Sequence, residues 1–186
     1  MAELSGSVWV ARFPGTNSVD DLEATFQANV RKFMAALEAG SATLDAVSTY
    51  RPPERAYLMH WSWMIVKQGQ DPQTVPPMAG VDIQWWHGSQ PASLAGAQAM
   101  VTGYGIGSLG VAPALSSRHT ERKAIDLAVT WDGTLKVKNA DGTETSITST
   151  PRDSTNADLI AVGGTYNVVH FLTPANDKNH WSTDGH

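Results

Sequence analysis

His119, Asp126 seven residues later and the distant His180 offer two imidazole nitrogens and one carboxylate oxygen. That donor set suits a catalytic zinc ion, because three protein ligands leave a fourth position for water or substrate, whereas a structural site is closed by a fourth ligand. Asp177, three residues before His180, adds a carboxylate able to take a proton from an attacking water. Singly, each residue has an ordinary reading: the histidines as surface residues, Asp126 as a turn or cap. Jointly they point to hydrolysis of a polarised carbonyl, with zinc as Lewis acid and Asp177 as general base.

Rigid elements must hold such a set. Residues 124–131 read as a strand, with His119 just ahead of it and Asp126 just inside, and His180 arrives on a neighbouring C-terminal strand. Asp132-Gly133 and Asp141-Gly142 are turn pairs that fold 134–138 and 143–148 into antiparallel partners. A short helix over 154–162 and a strand over 166–172 complete this half. Upstream, Leu22, Phe26, Val30, Phe33 and Leu37 recur at helical spacing between Val19 and Glu38. Asp20, Asp21 and Glu23 lie at the positive end of that helix and Gly40 stops it. Residues 7–13 alternate like a short strand, and 42–50 read as another, running into Arg51-Pro52-Pro53. The prolines start a helix from Pro53 to Gln68, and a second, Ala-rich helix runs from Pro91 to Tyr104. Helices first and antiparallel strands after give an α+β class, a small antiparallel sheet carrying the metal with helices packed on it.

The bulk properties narrow the function. A chain of 186 residues suits one domain, 1–186, with 1–40 as an N-terminal strand and helix and 41–186 as the core. A net charge of −5 without a Lys/Arg cluster argues against nucleic acid. No run approaches the ~20 apolar residues of a membrane span. With no cysteine, zinc would have to be held by His and Asp. The start Met1-Ala2-Glu3-Leu4-Ser5-Gly6 lacks the basic and apolar regions of a signal peptide, so synthesis in the cytoplasm is expected.

Three segments resemble the zinc D-alanyl-D-alanine carboxypeptidase and L-alanyl-D-glutamate endopeptidase family, whose fold recurs in the Hedgehog signalling domain. Ser117, His119, Ala124 and Asp126 match its Ser-x-His-x-x-Gly-x-Ala-x-Asp signature. Asp177-Lys178-Asn179-His180-Trp181 is similar to its acid-x-x-His-Trp close, and Ser48-Thr49-Tyr50-Arg51 resembles its Tyr-Arg element. The resemblance implies Zn2+ on His119, Asp126 and His180, Asp177 as base, and Arg51 holding a substrate carboxylate or the developing oxyanion. The reaction implied is hydrolysis of a peptide bond in the peptidoglycan stem peptide or cross-link. An aspartate at the base position resembles the phage-type endopeptidases. Without a leader, such an enzyme reaches the cell wall with a holin or a secretion machinery as delivery partner; an injected toxin would also have an immunity protein. The alternative is a catalytically silent zinc- or murein-binding module.

Ser117, Arg122, Trp181 and His170 are the candidate substrate contacts. Arg122 stands where the signature has glycine; at positive φ it would strain the turn by roughly 1 kcal/mol, and facing a cleft it would meet a stem-peptide carboxylate. Of the remaining histidines, His60 reads as a packing residue on its helix, His87 as core or groove beside Trp85 and Trp86, and His186 as a disordered end.

Overall fold

The computed structural model describes residues 2–173 and 177–186. Along the described chain run β1 (Glu3–Leu4), α1 (Ala24–Ala39), β2 (Thr43–Ser48), α2 (Pro53–Gln68), β3 (Ile83–Gln84), α3 (Gln90–Tyr104), β4 (Ala124–Thr130), β5 (Leu135–Lys138), β6 (Glu144–Ile147), α4 (Ala157–Thr165), β7 (Val169–His170) and β8 (His180–Ser182). The class is α+β. Two units share them: Met1–Gly15 with Arg51–Ser116, and Thr16–Tyr50 with Ser117–His186. No helix among the described residues is long and apolar enough to cross a membrane.

The second unit is built on a four-stranded antiparallel sheet in the order β2-β4-β8-β7, with β5 and β6 as a separate hairpin. Strand alternation sends Ile125, Leu127 and Val129 of β4 and Trp181 of β8 into one core, where they meet the α1 stripe of Phe26, Val30, Phe33 and Leu37. Burying each of these side chains contributes about 1.5–3 kcal/mol, so this face fixes the register of the sheet. α4 covers the same core; a Cβ at Gly163 would come within 2.7 Å of the Trp181 ring, so only glycine lets helix and indole approach.

The first unit packs α2 on α3 around Trp9, Tyr57, Leu58, Ile65, Trp85, Ala97 and Met100. β1 and β3 form a short parallel pair. α2 has the expected bounds, started by Pro53 and ended by Gly69 in the left-handed region.

Three expected elements differ. Residues 7–13 make no strand: Ser7–Trp9 is a 3-10 turn, and the Trp9 indole N–H donates to the Leu4 carbonyl, so Trp9 turns inward while Val8 is exposed. The first helix starts at Ala24, not Val19, because Ser18 caps a separate 3-10 turn over Val19–Asp21 and Glu23 caps α1 by accepting from the Phe26 N–H. The Glu23 N–H is itself committed to the Arg122 carbonyl at 2.8 Å. The strand expected over 166–172 shrinks to Val169–His170, since α4 runs on to Thr165 and Asn167 takes a positive φ of 57°.

Candidate metal centre

Asp126 and His180 sit directly opposite each other on β4 and β8, and so do Ile125 and Trp181. The core takes Ile125 and Trp181; the two-residue period therefore turns Asp126 and His180 together to the other face. The turn over 117–123, closed by the Lys123 N–H on the Arg118 carbonyl at 2.8 Å, brings His119 to them.

The three donor atoms form a nearly equilateral triangle. His119 Nε2 lies 3.2 Å from Asp126 Oδ1 and 3.2 Å from His180 Nδ1, and His180 Nδ1 lies 3.3 Å from Asp126 Oδ1. Ligands about 2.0–2.2 Å from a tetrahedral zinc stand about 3.3–3.6 Å apart along an edge, so the spacing comes close to that of a zinc ion's ligands. Among the described residues these three form the one His/Asp/Glu group spaced to hold a metal. Both histidines are buried, while the Asp126 side chain is 23% exposed.

Each imidazole is set by a carbonyl on its far side. His119 Nδ1–H donates to the Thr49 carbonyl at 3.0 Å, and His180 Nε2–H donates to the His186 carbonyl at 3.1 Å. With an ion bound, these bonds would set the tautomers that turn the lone pairs of His119 Nε2 and His180 Nδ1 into the triangle, the outer-shell arrangement of metal histidines. Thr49 is available because the β2–β4 ladder shifts register at Val47 and ends at Ser48 opposite Asp126. A bulge here ends the pairing beside the site. Its hydroxyl, donating to the Ser18 carbonyl at 2.9 Å, anchors that turn.

Without metal the group is a charge cluster. Burial works to raise the Asp126 pKa, but hydrogen bonds and charge from His119 and His180 overcome it and hold the carboxylate well below its ordinary value. Burial likewise works against protonating His180, yet Asp126, the His186 carbonyl and the charge of Asp177 together raise its pKa. Asp177 is exposed and acts electrostatically on His180. Residues just after it are pinned: the Lys178 carbonyl accepts from His170 Nε2–H at 2.8 Å, and the Asn179 carbonyl from the Leu127 N–H at 2.8 Å.

The candidate substrate contacts fare differently. Trp181 is a core residue: it is 0% exposed, its ring lies 5.3 Å from Phe33, and its N–H donates to the Leu127 carbonyl. Adjacent residues on a strand face opposite ways, so a ligand at 180 excludes a cleft residue at 181. His170, paired across the sheet with Trp181, shares that inner face; it is buried edge-on to the indole at 4.5 Å, and its Nε2–H bond goes to the Lys178 carbonyl next to Asp177. Arg122 has φ +63°, the conformation expected of the signature glycine. Its guanidinium stacks 3.7 Å over the Tyr50 ring and donates to the Asp21 carbonyl at 2.8 Å, so it braces the turn instead of reaching into a cleft. The Ser117 hydroxyl is buried with no hydrogen-bond partner among the described residues. Arg51 opens a stretch of chain belonging to the first unit, and the metal centre is built from the second alone.

His186 is not a loose end: its N–H donates to Ser182 Oγ at 3.1 Å and its carbonyl accepts from His180 Nε2–H. Thr49 and His186 act through backbone oxygens, which carry no residue-type signal. Ser182-Thr183-Asp184-Gly185, a turn-forming run beside a candidate ligand, was the available clue to His186.

No family model, curated protein or solved structure matches the chain.

Proposed function

We propose that this chain is a zinc-dependent peptidase of the Hedgehog/D-Ala-D-Ala-peptidase type, hydrolysing a peptide bond in the peptidoglycan stem peptide or cross-link. The observation that carries the reading is the donor triangle, with edges of 3.2–3.3 Å and both histidine tautomers preset by carbonyls. A structural ion pair needs no such preset lone pairs. The substrate class comes from the resemblance of the three segments.

His119, Asp126 and His180 hold the ion. When bound, zinc supplies Lewis acidity toward the scissile carbonyl and brings the pKa of water to about 7. Asp177, exposed beside His180, takes the proton of the attacking water and returns it to the leaving amine. The carbonyls of Thr49 and His186 keep the imidazoles from turning, and His170 keeps the chain after Asp177 in place.

Purified murein incubated with the zinc-loaded chain is expected to release new amine ends, and chelation, His180→Ala or Asp177→Ala to stop the release. Undiminished release from either variant overturns the assignment. Retention on insoluble murein without new amine ends supports a binding module in its place.

A further inference from the structure

We propose that residues 182–186 form a positioning strap, in which Ser182 and Asp184 hold the His186 carbonyl against His180 and thereby fix which nitrogen of that ligand faces the metal. The zinc readout rests on the metal reading; the readout of Nε2–H exchange does not.

Ser182 follows His180 by two residues on β8 and so shares its face. Its fully buried hydroxyl accepts from the Gly185 N–H at 2.8 Å and the His186 N–H at 3.1 Å, curling the chain back over the strand that it has just left. Gly185 makes that curl possible. Its φ is +78°, and a Cβ there would stand 2.9 Å from the His170 carbonyl. Its own carbonyl accepts from the Leu172 N–H at 3.1 Å, and the Thr183 N–H reaches the Lys123 carbonyl at 3.2 Å. The curl closes where the His186 carbonyl meets His180 Nε2 at 3.1 Å.

The second hold comes from the other histidine segment. Arg118, next to His119, donates from Nε to both Asp184 oxygens at 3.1 Å and from Nη2 to Oδ2. Glu121 steadies the same guanidinium at 2.7 Å. One short turn therefore ties the segment bearing His119 to the backbone that orients His180. An imidazole freed of this carbonyl could present either nitrogen to the triangle, and only the Nδ1 lone pair has the spacing observed. Outer-shell partners of metal histidines are typically worth about 10–100-fold in metal affinity.

The deciding measurement is solvent exchange of the His180 Nε2–H in the metal-free full chain, read from 15N–1H NMR of the imidazole. The native chain is expected to show a slowly exchanging Nε2–H held by the His186 carbonyl, and Ser182→Ala a fast-exchanging one. Competition against a chromogenic chelator should then show zinc held about 10–100-fold more weakly by Ser182→Ala. Ser182→Thr, which keeps the hydroxyl, should recover most of the loss. Ser62→Ala, on α2, removes a buried hydroxyl that donates to the Met59 carbonyl and should change neither readout. Should Ser182→Ala fail to fold, Asp184→Asn, at a partly exposed position, loosens the strap alone and should speed the exchange by less. Folded variants that keep the native exchange overturn the strap. A native chain that binds no zinc overturns the metal reading, while the exchange still decides the strap.

Discussion

The tripeptide His-Trp-Ser occurs twice, at 60–62 in α2 of the first unit and at 180–182 in β8 of the second, with opposite results. On the helix, successive side chains point about 100° apart. His60 donates from Nδ1 to the Pro113 carbonyl at 2.8 Å and lies edge-on to Trp61, while the Ser62 hydroxyl folds back to its own helix. On the strand, alternation sends Trp181 into the core and sets His180 and Ser182 side by side on the other face. There a cross-strand aspartate and a turn histidine meet His180. The same three residue types pack in one region, while in the other they divide between the core and the candidate metal site, because the backbone period decides which of them share a face.

The largest effect expected from this contrast is on metal. His180→Ala removes one vertex of the triangle and should abolish stoichiometric zinc binding in a chelator competition. His60→Ala should leave it intact, with a cost of about 1 kcal/mol in urea unfolding for the lost hydrogen bond. Equal zinc binding by both variants would make the two tripeptides equivalent and dissolve the metal centre.

Next comes the tryptophan. Trp181→Ala empties a fully buried site between Phe33, His170 and Gly163 and should cost about 3–5 kcal/mol in denaturant unfolding. Trp61, only partly buried, should cost clearly less when replaced by alanine. A milder loss at 181 than at 61 would mean that β8 does not bury that face.

Much of this was legible in the sequence. α2 and α3, the β5–β6 hairpin and the α1 stripe follow from apolar period, Pro and Gly punctuation and Asp-Gly turns. His119, Asp126 and His180 do come together, although their convergence depends on pairing between strands more than 50 residues apart. The errors share a cause. Reading Trp181 and His170 as cleft residues treated nearness in sequence as nearness to the metal, while a strand puts neighbours on opposite faces. Residues 7–13 alternate without a partner strand, and alternation alone makes no sheet. The carbonyls of Thr49 and His186 belong to backbone geometry, on which residue type is silent.

Histidines of the two units should also answer pH in opposite senses. His87, hydrogen-bonded to Ser5, has its pKa lowered by burial. The unfolded chain then binds a proton more readily, so the stability His87 contributes is lost as pH falls through 6.5. His180, burial notwithstanding, has its pKa raised by Asp126; its contribution to the metal-free fold is complete below 6.5 and is lost as pH rises through the folded value. Asp126, with its pKa lowered, adds stability present above 3.8 and lost only at lower pH. Zinc bound there would reverse the His180 trend, because it needs the unprotonated nitrogen. Unfolding of the native chain, His87→Gln and His180→Gln, each with chelator and with zinc across this range, should show zinc stabilising more as pH rises, and only where His180 is present. A zinc effect independent of pH would argue against an imidazole ligand there.

The smallest effect concerns two left-handed residues. After α3 the chain uses Gly105 at φ +69°; between His119 and Asp126 it uses Arg122 at φ +63°. Glycine takes this conformation without strain, whereas a side chain costs about 1 kcal/mol. At 122 the cost is offset by the stack on Tyr50, about 0.5–1 kcal/mol at a partly exposed site, and by the bond to the Asp21 carbonyl. Arg122→Gly trades one for the other and should change stability by less than about 1 kcal/mol. Arg122→Ala keeps the strained φ and loses both contacts, so it should cost about 1–2 kcal/mol. Gly105→Ala has no contact to lose or gain and should cost about 1 kcal/mol from strain alone. Neither change at 122 should alter zinc affinity, because Tyr50 and Asp21 are not ligands. If Arg122→Gly instead weakens zinc binding along with stability, the turn depends on the guanidinium to hold His119 in place, and arginine at this position is part of the metal centre's support.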